Sequence, residues 1–332
     1  MLSTDLPWTA LSGWFQVGWG EVLTADEVTR LRYFGCDLVA WRDEEGAPVV
    51  ADAYCPHMGA HLGFGGSVID GCVRCPLHGW TWGSDGCNVA IPFSQATSDR
   101  RLRLWPTEEF RGALFVWHDP LGRSPWYNLL DELSFSGATQ DTNAMIQGGF
   151  PNAAHLYPSV SIHPLIAIED RVDVDHFAGP HATVPPELLS LELRKHSFSS
   201  VVTLAGEGEK IGTRIESLAI GIGVSWLSIE FASQTTDIML SVTPVAEGES
   251  DILHTVWCRS EPATANAAEL ELRSVVSMMR QELEQDLVVW AHLKYSSEIP
   301  EEHFQSAASL KAVRAWAQRF FPAEVDWPDG NA

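Results

Sequence analysis

This sequence predicts an α+β protein made of two consecutive antiparallel β units, the second closed by a long C-terminal helix. Three observations carry that expectation. From about Ser12 to Asp119, short β-prone runs are separated by Gly and Pro turns with no helical periodicity between them. Beyond a weakly patterned stretch, longer alternating runs return from about Ser190. After Ala263 the apolar residues switch to helical spacing and keep it to about Tyr295.

In the first unit the expected strands are Asp37–Arg42, Pro48–Ala53, Cys72–Cys75 and Ala113–Trp117, with turns at Glu45-Gly46, Asp70-Gly71 and Asp85-Gly86. The pattern weakens from about Leu121 to Pro158, at 136–139 and 148–149. The boundaries are therefore placed at 1–125 for the first domain, 126–155 for the junction and 156–332 for the second domain. In the second unit, strands are expected near Ser190–Ala205, Ile211–Ile222, Ser225–Ser233, Asp237–Val245 and Asp251–Arg259. Glu247-Gly248-Glu249-Ser250 turns the last pair. Helices are expected over Ala263–Tyr295 and Glu301–Phe320.

The formal charge of −23 makes the surface strongly acidic, which disfavours nucleic acid and anionic lipid as partners. Met1–Gly20 carries no signal-peptide pattern, and the most apolar stretch, Leu218–Ala232, is interrupted by Gly and Ser; a soluble, cytoplasmic protein with no membrane span is expected. Of the six cysteines, Cys55, Cys72, Cys75 and Cys87 cluster with His57, His61 and His78, which reads as a metal site rather than a disulfide scaffold.

Within that cluster two short motifs match: Cys55-Pro-His57-Met-Gly and Cys75-Pro-Leu-His78-Gly-Trp. Two thiolates and two imidazoles on paired loops can hold zinc, or a 2Fe–2S cluster in which His replaces Cys on one iron. Zinc fingers group like ligands together, whereas here each loop supplies one Cys and one His, which suits a cluster gripped from two sides. Cys72 and His61 are read as bystanders, since either would break that symmetry. Gly59 and Gly79 are expected to let the backbone approach the inorganic sulfurs closely.

At these residues, and through Trp80-x-Trp82-x-x-Asp85-Gly86 and Leu114–Asp119, the sequence resembles the Rieske family. Respiratory Rieske proteins carry an extra cysteine on each loop; Ala60 and Leu77 stand there, as in Rieske-type oxygenases and their ferredoxins. The wider stretch is most similar to oxygenase components of 3-ketosteroid 9α-hydroxylases, with cholesterol 7-desaturases close behind.

A ferredoxin alone would end near residue 120. In the remainder, Asp173-Val-Asp175-His176-Phe-Ala-Gly-Pro-His181 sets two histidines around a Gly-Pro break. On the long helix, Leu272, Val276, Met279, Leu283, Asp286, Trp290 and Leu293 recur at 4-3-4-3-4-3 spacing, so Asp286 falls on an otherwise apolar stripe. An unpaired carboxylate there would cost roughly several kcal/mol and should meet a cation. His176, His181 and Asp286 together make a 2-His-1-carboxylate set, the pattern of a mononuclear Fe²⁺ site. The resemblance supports this, since Asp173-x-x-His176-x₄-His181 and Gln285-Asp286 match the family's motif position by position. Asp170 departs from it, standing where related steroid oxygenases often have Asn.

The resemblance implies a Rieske 2Fe–2S domain held by Cys55, His57, Cys75 and His78, then a helix-grip catalytic domain with one mononuclear iron. It implies O₂ as co-substrate, and NAD(P)H electrons arriving through a flavin and iron–sulfur reductase, with or without a ferredoxin. It also implies a homotrimer in which Asp173 links His78 of the partner subunit to His176, and a hydrophobic, polycyclic, steroid-like substrate that is hydroxylated. The competing outcomes are desaturation and aromatic-ring dihydroxylation. A competing class is an electron carrier with a ligand-binding domain. The basic cluster Arg100-Arg101-x-Arg103 reads either as solvated charges paired with nearby acids or as a docking site for the reductase.

Overall fold

The computed structural model describes residues 6–134, 151–181, 186–204, 213–230, 235–258, 265–296, 298–300 and 305–322. The first half contains strands β1 (Gly13–Trp19), β2 (Thr29–Tyr33), β3 (Cys36–Arg42), β4 (Pro48–Asp52), β5 (Ser67–Ile69) and β6 (Cys72–Arg74). It continues with β7 (Thr81–Trp82), β8 (Asn88–Ala90), β9 (Leu104–Trp105), β10 (Thr107–Phe110) and β11 (Ala113–His118). Then come α1 (Leu129–Ser134), β12 (Ala153–Val160), α2 (Pro164–Glu169), β13 (Glu187–Leu193), β14 (Ser197–Leu204), β15 (Thr213–Ile220) and β16 (Val224–Glu230). The chain closes with β17 (Thr235–Ala246), β18 (Glu249–Cys258), α3 (Ala265–Trp290) and α4 (Ala307–Ala317).

The strands form antiparallel sheets ordered β1-β11-β10, β2-β3-β4-β9, β5-β6-β7-β8 and β12-β18-β17-β16-β15-β14-β13. The α+β class and the antiparallel pairing agree with the sequence. The 247–250 turn joins β17 to β18, where Ala246 pairs with Glu249. α1 and the first residues of β12 occupy parts of the expected junction. α2 starts where His163 Nδ1 accepts the Leu165 N–H at 3.1 Å, with Pro164 supplying the fixed φ of a first helical residue.

Two expectations need correction. The run expected as one strand from Ser190 is two strands, β13 and β14, joined by a turn in which Arg194 N–H donates to Ser197 C=O at 2.8 Å. That turn is gripped from the C-terminal end, by Trp316 Nε1–H to Arg194 C=O and by Arg319 to Lys195 C=O, both 2.8 Å. The long helix stops at Trp290, not Tyr295, so Leu293 lies beyond it and is 37% exposed. Several expected ends, at Ala205, Ile211, Ser233, Arg259 and Ala263, lie outside the described residues, as do 136–139, 148–149 and 301–304 and the Leu272 side chain.

Two cores result. A small one lies under the paired loops, formed by Val39, Trp41, Ala51, Val73 and Trp82 together with Cys55 and Cys75. The large one runs unbroken from Phe15 and Phe115 of the β1-β11-β10 sheet to Trp226, Trp257, Trp316 and Phe320 of the C-terminal half. A satellite cluster sits between the seven-stranded sheet and α3, where Ile229, Ile238 and Val256 meet Val276 and Met279.

Candidate metal centres

The two Cys/His loops are copies of one device. Cys55 N–H donates to Ala60 C=O at 2.9 Å and Gly59 N–H to Cys55 C=O at 2.8 Å. In the second loop Cys75 N–H donates to Trp80 C=O at 2.8 Å and Gly79 N–H to Cys75 C=O at 3.0 Å. Closing each turn takes a left-handed residue, which Gly59 (φ 74°) and Gly79 (φ 71°) provide. Cys55 and Cys75 are buried, whereas His78 is exposed. Burial pushes the Cys55 thiol up, and its interaction with Cys75 adds to the rise. The His57 and His78 rings lie 4.9 Å apart, and His57 stacks on Trp80 at 4.0 Å.

His57 Nδ1 is buried with no hydrogen-bond partner. A buried orphan nitrogen opposite two neighbouring thiols is what a metal cluster satisfies, so these residues fit one. The bystanders lie apart in role: His61 Nδ1 accepts the Gly63 N–H at 3.0 Å, and Cys72 is half-buried on β6. The basic cluster is engaged within the chain: Arg100 donates to Pro56 C=O at 2.8 Å, Arg101 to Cys87 Sγ at 2.8 Å, and Arg103 lies 3.9 Å from Asp52.

The structure brings His176, His181 and Asp286 together, each offering a ligand atom within 4.8 Å of the others. His176 sits on a 3-10 turn, Asp175–Ala178, and Asp286 on the buried face of α3 beside Leu283 and Trp290. His176 Nδ1 donates to the main-chain carbonyl of Asp173, which leaves Nε2 facing the site. His181 Nδ1 is held by Glu282 at 2.8 Å and Gln285 at 3.1 Å, and its Nε2 lies 3.2 Å from Asp286 Oδ1.

The charge balance of this group calls for a cation. Burial works against a charged His181, but Asp286 and Glu282 outweigh it and push the imidazole up to about 10. Burial, with a smaller contribution from Asp170, raises the Asp286 carboxyl against the pull of His181. Asp286 Oδ1 is buried, with the His181 imidazole as its near partner. Two imidazole nitrogens and a buried carboxylate oxygen brought this close suit a divalent transition metal such as Fe²⁺. A groove of about 670 Å³ along α3, lined by Arg273, Arg280 and Glu284, lies on the opposite flank of the helix from Asp286.

Asp173 is half-buried, and its carboxylate does not take the His176 proton; it accepts the Asp175 N–H at 3.2 Å. Two anchors escape a reading of the sequence. Asp175 Oδ2 accepts from Ser306 N–H at 2.8 Å and Ser306 Oγ at 2.9 Å, which ties the His176 turn to the start of α4. Glu169, at the end of α2, accepts from Arg314 Nε at 2.8 Å and Nη2 at 2.9 Å. Glu282 had a signal, since it lies one turn before Asp286 on the same flank of the helix.

The sequence matches the Rieske [2Fe-2S] domain over residues 13–106 and the 3-ketosteroid 9alpha-hydroxylase C-terminal domain over residues 116–321. This chain belongs to the Rieske oxygenases of the 3-ketosteroid 9α-hydroxylase family, and is an oxidoreductase. A cholesterol 7-desaturase of Bombyx mori is 26% identical over 96% of this chain and 71% of its own length. The oxygenase component of a 3-ketosteroid-9-alpha-monooxygenase of Rhodococcus rhodochrous is 40% identical over 34% of this chain and 30% of its own length. In fold, dicamba monooxygenase bound to dicamba aligns over 95% of this chain and 99% of its own at 15% identity, with a TM-score of 0.67. Pseudomonas putida CBB5 NdmB does so over 95% and 92% at 15% identity, with a TM-score of 0.68. No helix among the described residues is long and apolar enough to cross a membrane.

Proposed function

We propose that this chain is the oxygenase component of a Rieske monooxygenase that hydroxylates a polycyclic, steroid-like substrate. The convergence of His176, His181 and Asp286 behind a pair of Cys/His loops carries the reading. An electron carrier needs the loops and has no use for a buried carboxylate converging with two imidazoles. A cluster held by the paired loops would supply single-electron transfer, and Fe²⁺ held by His176, His181 and Asp286 would supply the O₂-dependent chemistry. The reaction balances as substrate C–H plus O₂, two electrons and two protons giving C–OH and water. NAD(P)H supplies the electrons through a flavin and iron–sulfur reductase, with or without a ferredoxin.

The chain's residues divide the work. Cys55, His57, Cys75 and His78 hold the cluster, and His176, His181 and Asp286 hold the iron. The Asp173 carbonyl and the Glu282 carboxylate orient the two iron-site imidazoles. Asp173 bridges the electron path, from His78 of the partner subunit to His176, in a homotrimer. Support for such a neighbour comes from the cluster loops, where Met58, Phe64 and Leu77 are all more than half exposed beside His78. The names of the relatives favour a sterol or ketosteroid, and the desaturase likeness keeps desaturation as the second outcome. A cytoplasmic site is supported by Cys36, Cys72 and Cys87, which form no disulfide among the described residues.

Iron content and coupled turnover test the reading. About three iron atoms per chain are expected, two in the cluster and one mononuclear. With a surrogate reductase, a ketosteroid or sterol should couple NADH use to O₂ uptake and yield a hydroxylated product. Two iron atoms per chain and no coupled uptake would return the protein to the electron carriers. A panel coupling only small monocyclic aromatics would overturn the substrate.

A further inference from the structure

Asp170 is an acidic group at the iron site for which the triad has no use. It caps the C-terminus of α2, whose position is fixed by the Glu169–Arg314 pair, and its side chain is only 6% exposed. Its Oδ1 lies 3.5 Å from His176 Nε2, the nitrogen left facing the metal position. Its Oδ2 is paired with the Arg171 guanidinium. The Arg171 side chain is 10% exposed, and its Nε is buried with no hydrogen-bond partner.

Spacing places Asp170 at the border of the centre. Two ligand atoms each about 2.1 Å from one ion, at angles between a right angle and the tetrahedral angle, lie about 3.0–3.4 Å apart. The pair His181 Nε2 and Asp286 Oδ1, at 3.2 Å, has that spacing. His176 Nε2 and Asp170 Oδ1, at 3.5 Å, lie just beyond it, so Asp170 borders the centre rather than completing the triad. Asp170 is not one of the three converging ligand groups and meets the centre at His176. An amide at this position would offer a dipole, whereas a carboxylate adds a full charge beside a dication in a buried setting. Arg171 opposes that charge from the far side.

We infer that Asp170 is a second carboxylate of the iron centre, a positioning residue whose charge holds the divalent ion beside His176 and is partly offset by Arg171. The inference rests on the triad reading above. A purely structural Asp170–Arg171 pair predicts that breaking it from either side loosens the site equally. An electrostatic role predicts opposite signs: removing the carboxylate weakens metal binding, while removing the guanidinium strengthens it.

The test uses full-length protein with its cluster loaded and its mononuclear iron removed by a mild chelator. Co²⁺ is titrated in competition with a chelating dye, and visible circular dichroism of the cluster confirms the fold of each variant. Asp170→Asn should bind Co²⁺ about 10-fold more weakly than wild type and change the cobalt d–d absorption. Asp170→Glu should recover most of the affinity, and Arg171→Gln should bind more tightly than wild type. Unchanged affinity in Asp170→Asn overturns the inference, as does an Arg171→Gln protein as weak as Asp170→Asn. If Asp170→Asn fails to fold, Arg171→Gln decides alone, tighter binding supporting the role and weaker binding overturning it. Asp286→Ala separates the two readings. If it leaves Co²⁺ affinity unmoved, the triad itself is wrong; if it abolishes binding while Asp170→Asn does not weaken it, only Asp170 loses its part.

Discussion

The two candidate metal-binding regions of this chain are built on opposite plans. The cluster loops lie in one short stretch, Cys55–His78, on a small core of their own, and each is closed by the same two local hydrogen bonds. The iron site draws on a 3-10 turn and on a helix about a hundred residues later, and it is held by contacts to α4 that are more distant still. Local closure makes the first site independent of the rest of the fold. The second exists only when α2, α3 and α4 are docked. Damage should therefore pass from the C-terminal half to the iron site without reaching the cluster.

The sharpest way to break that comparison is to remove one ligand from each region. Asp286→Ala should lose the mononuclear iron and all turnover while keeping the low-average-g electron-resonance signal of a His₂Cys₂ cluster. His57→Ala should abolish that signal, whereas Cys72→Ser should leave it intact. An Asp286→Ala protein that keeps about three iron atoms per chain would make this carboxylate structural. Next in size is Asp173→Asn, expected to retain full iron content and a reducible cluster but to lower steady-state product formation about 100-fold. Near-native turnover would show that electrons take another route.

Ser306 tests the dependence on docking. Its hydroxyl accepts the Val174 N–H at 2.8 Å and donates to Asp175 Oδ2 at 2.9 Å. Ser306→Ala leaves that buried N–H unsatisfied, a loss of about 1–3 kcal/mol. Iron affinity should fall about 10-fold as the His176 turn loosens. The cluster spectrum should not change, and a parallel loss of cluster would mean that the two regions share one fate.

The same contrast explains what was legible in the sequence. The paired loops could be read because their ligands, prolines and glycines repeat within a short window. Asp286 could be read because a lone carboxylate on an apolar helical stripe breaks a strong pattern. The break between β13 and β14 could not, since Arg194-Lys195-His196 carries no Gly or Pro and its turn is held by Trp316 and Arg319 from the far end of the chain. Periodicity carried the long helix too far because Leu293 keeps the spacing after the backbone has turned; Tyr295, off that spacing, donates to Glu169 at 3.3 Å. Spacing sets Asp173 beside His176 but cannot reveal which atom meets the imidazole, and in the structure it is the main-chain carbonyl rather than the carboxylate.

The smallest effect is expected where the two halves meet. His118, at the end of β11, stacks on Phe34 at 3.9 Å, and its Nδ1 donates to Leu11 C=O at 2.6 Å. Phe34 in turn donates its N–H to Pro244 C=O of β17 at 2.8 Å, so this ring backs a contact between the cluster half and the catalytic half. Burial pushes His118 down to about 4, and His254 is likewise lowered to about 4. Below about pH 6.5 the unfolded chain takes up protons that the folded histidines refuse. Stability is therefore lost as pH falls from about 6.5 towards 4, by up to about 1.4 kcal/mol per pH unit for each group. His118→Phe keeps the stack and gives up both the Leu11 hydrogen bond and the titration. At about pH 7.5 it should destabilise the protein by roughly 1 kcal/mol, and at about pH 5 the difference should shrink or reverse, because the His118 share of the proton penalty then falls on the wild type alone while His254 acts on both. Urea midpoints at the two pH values measure this, and a deficit that stays constant would show that His118 carries its proton in the folded protein and that the contact between the halves is not acid-sensitive.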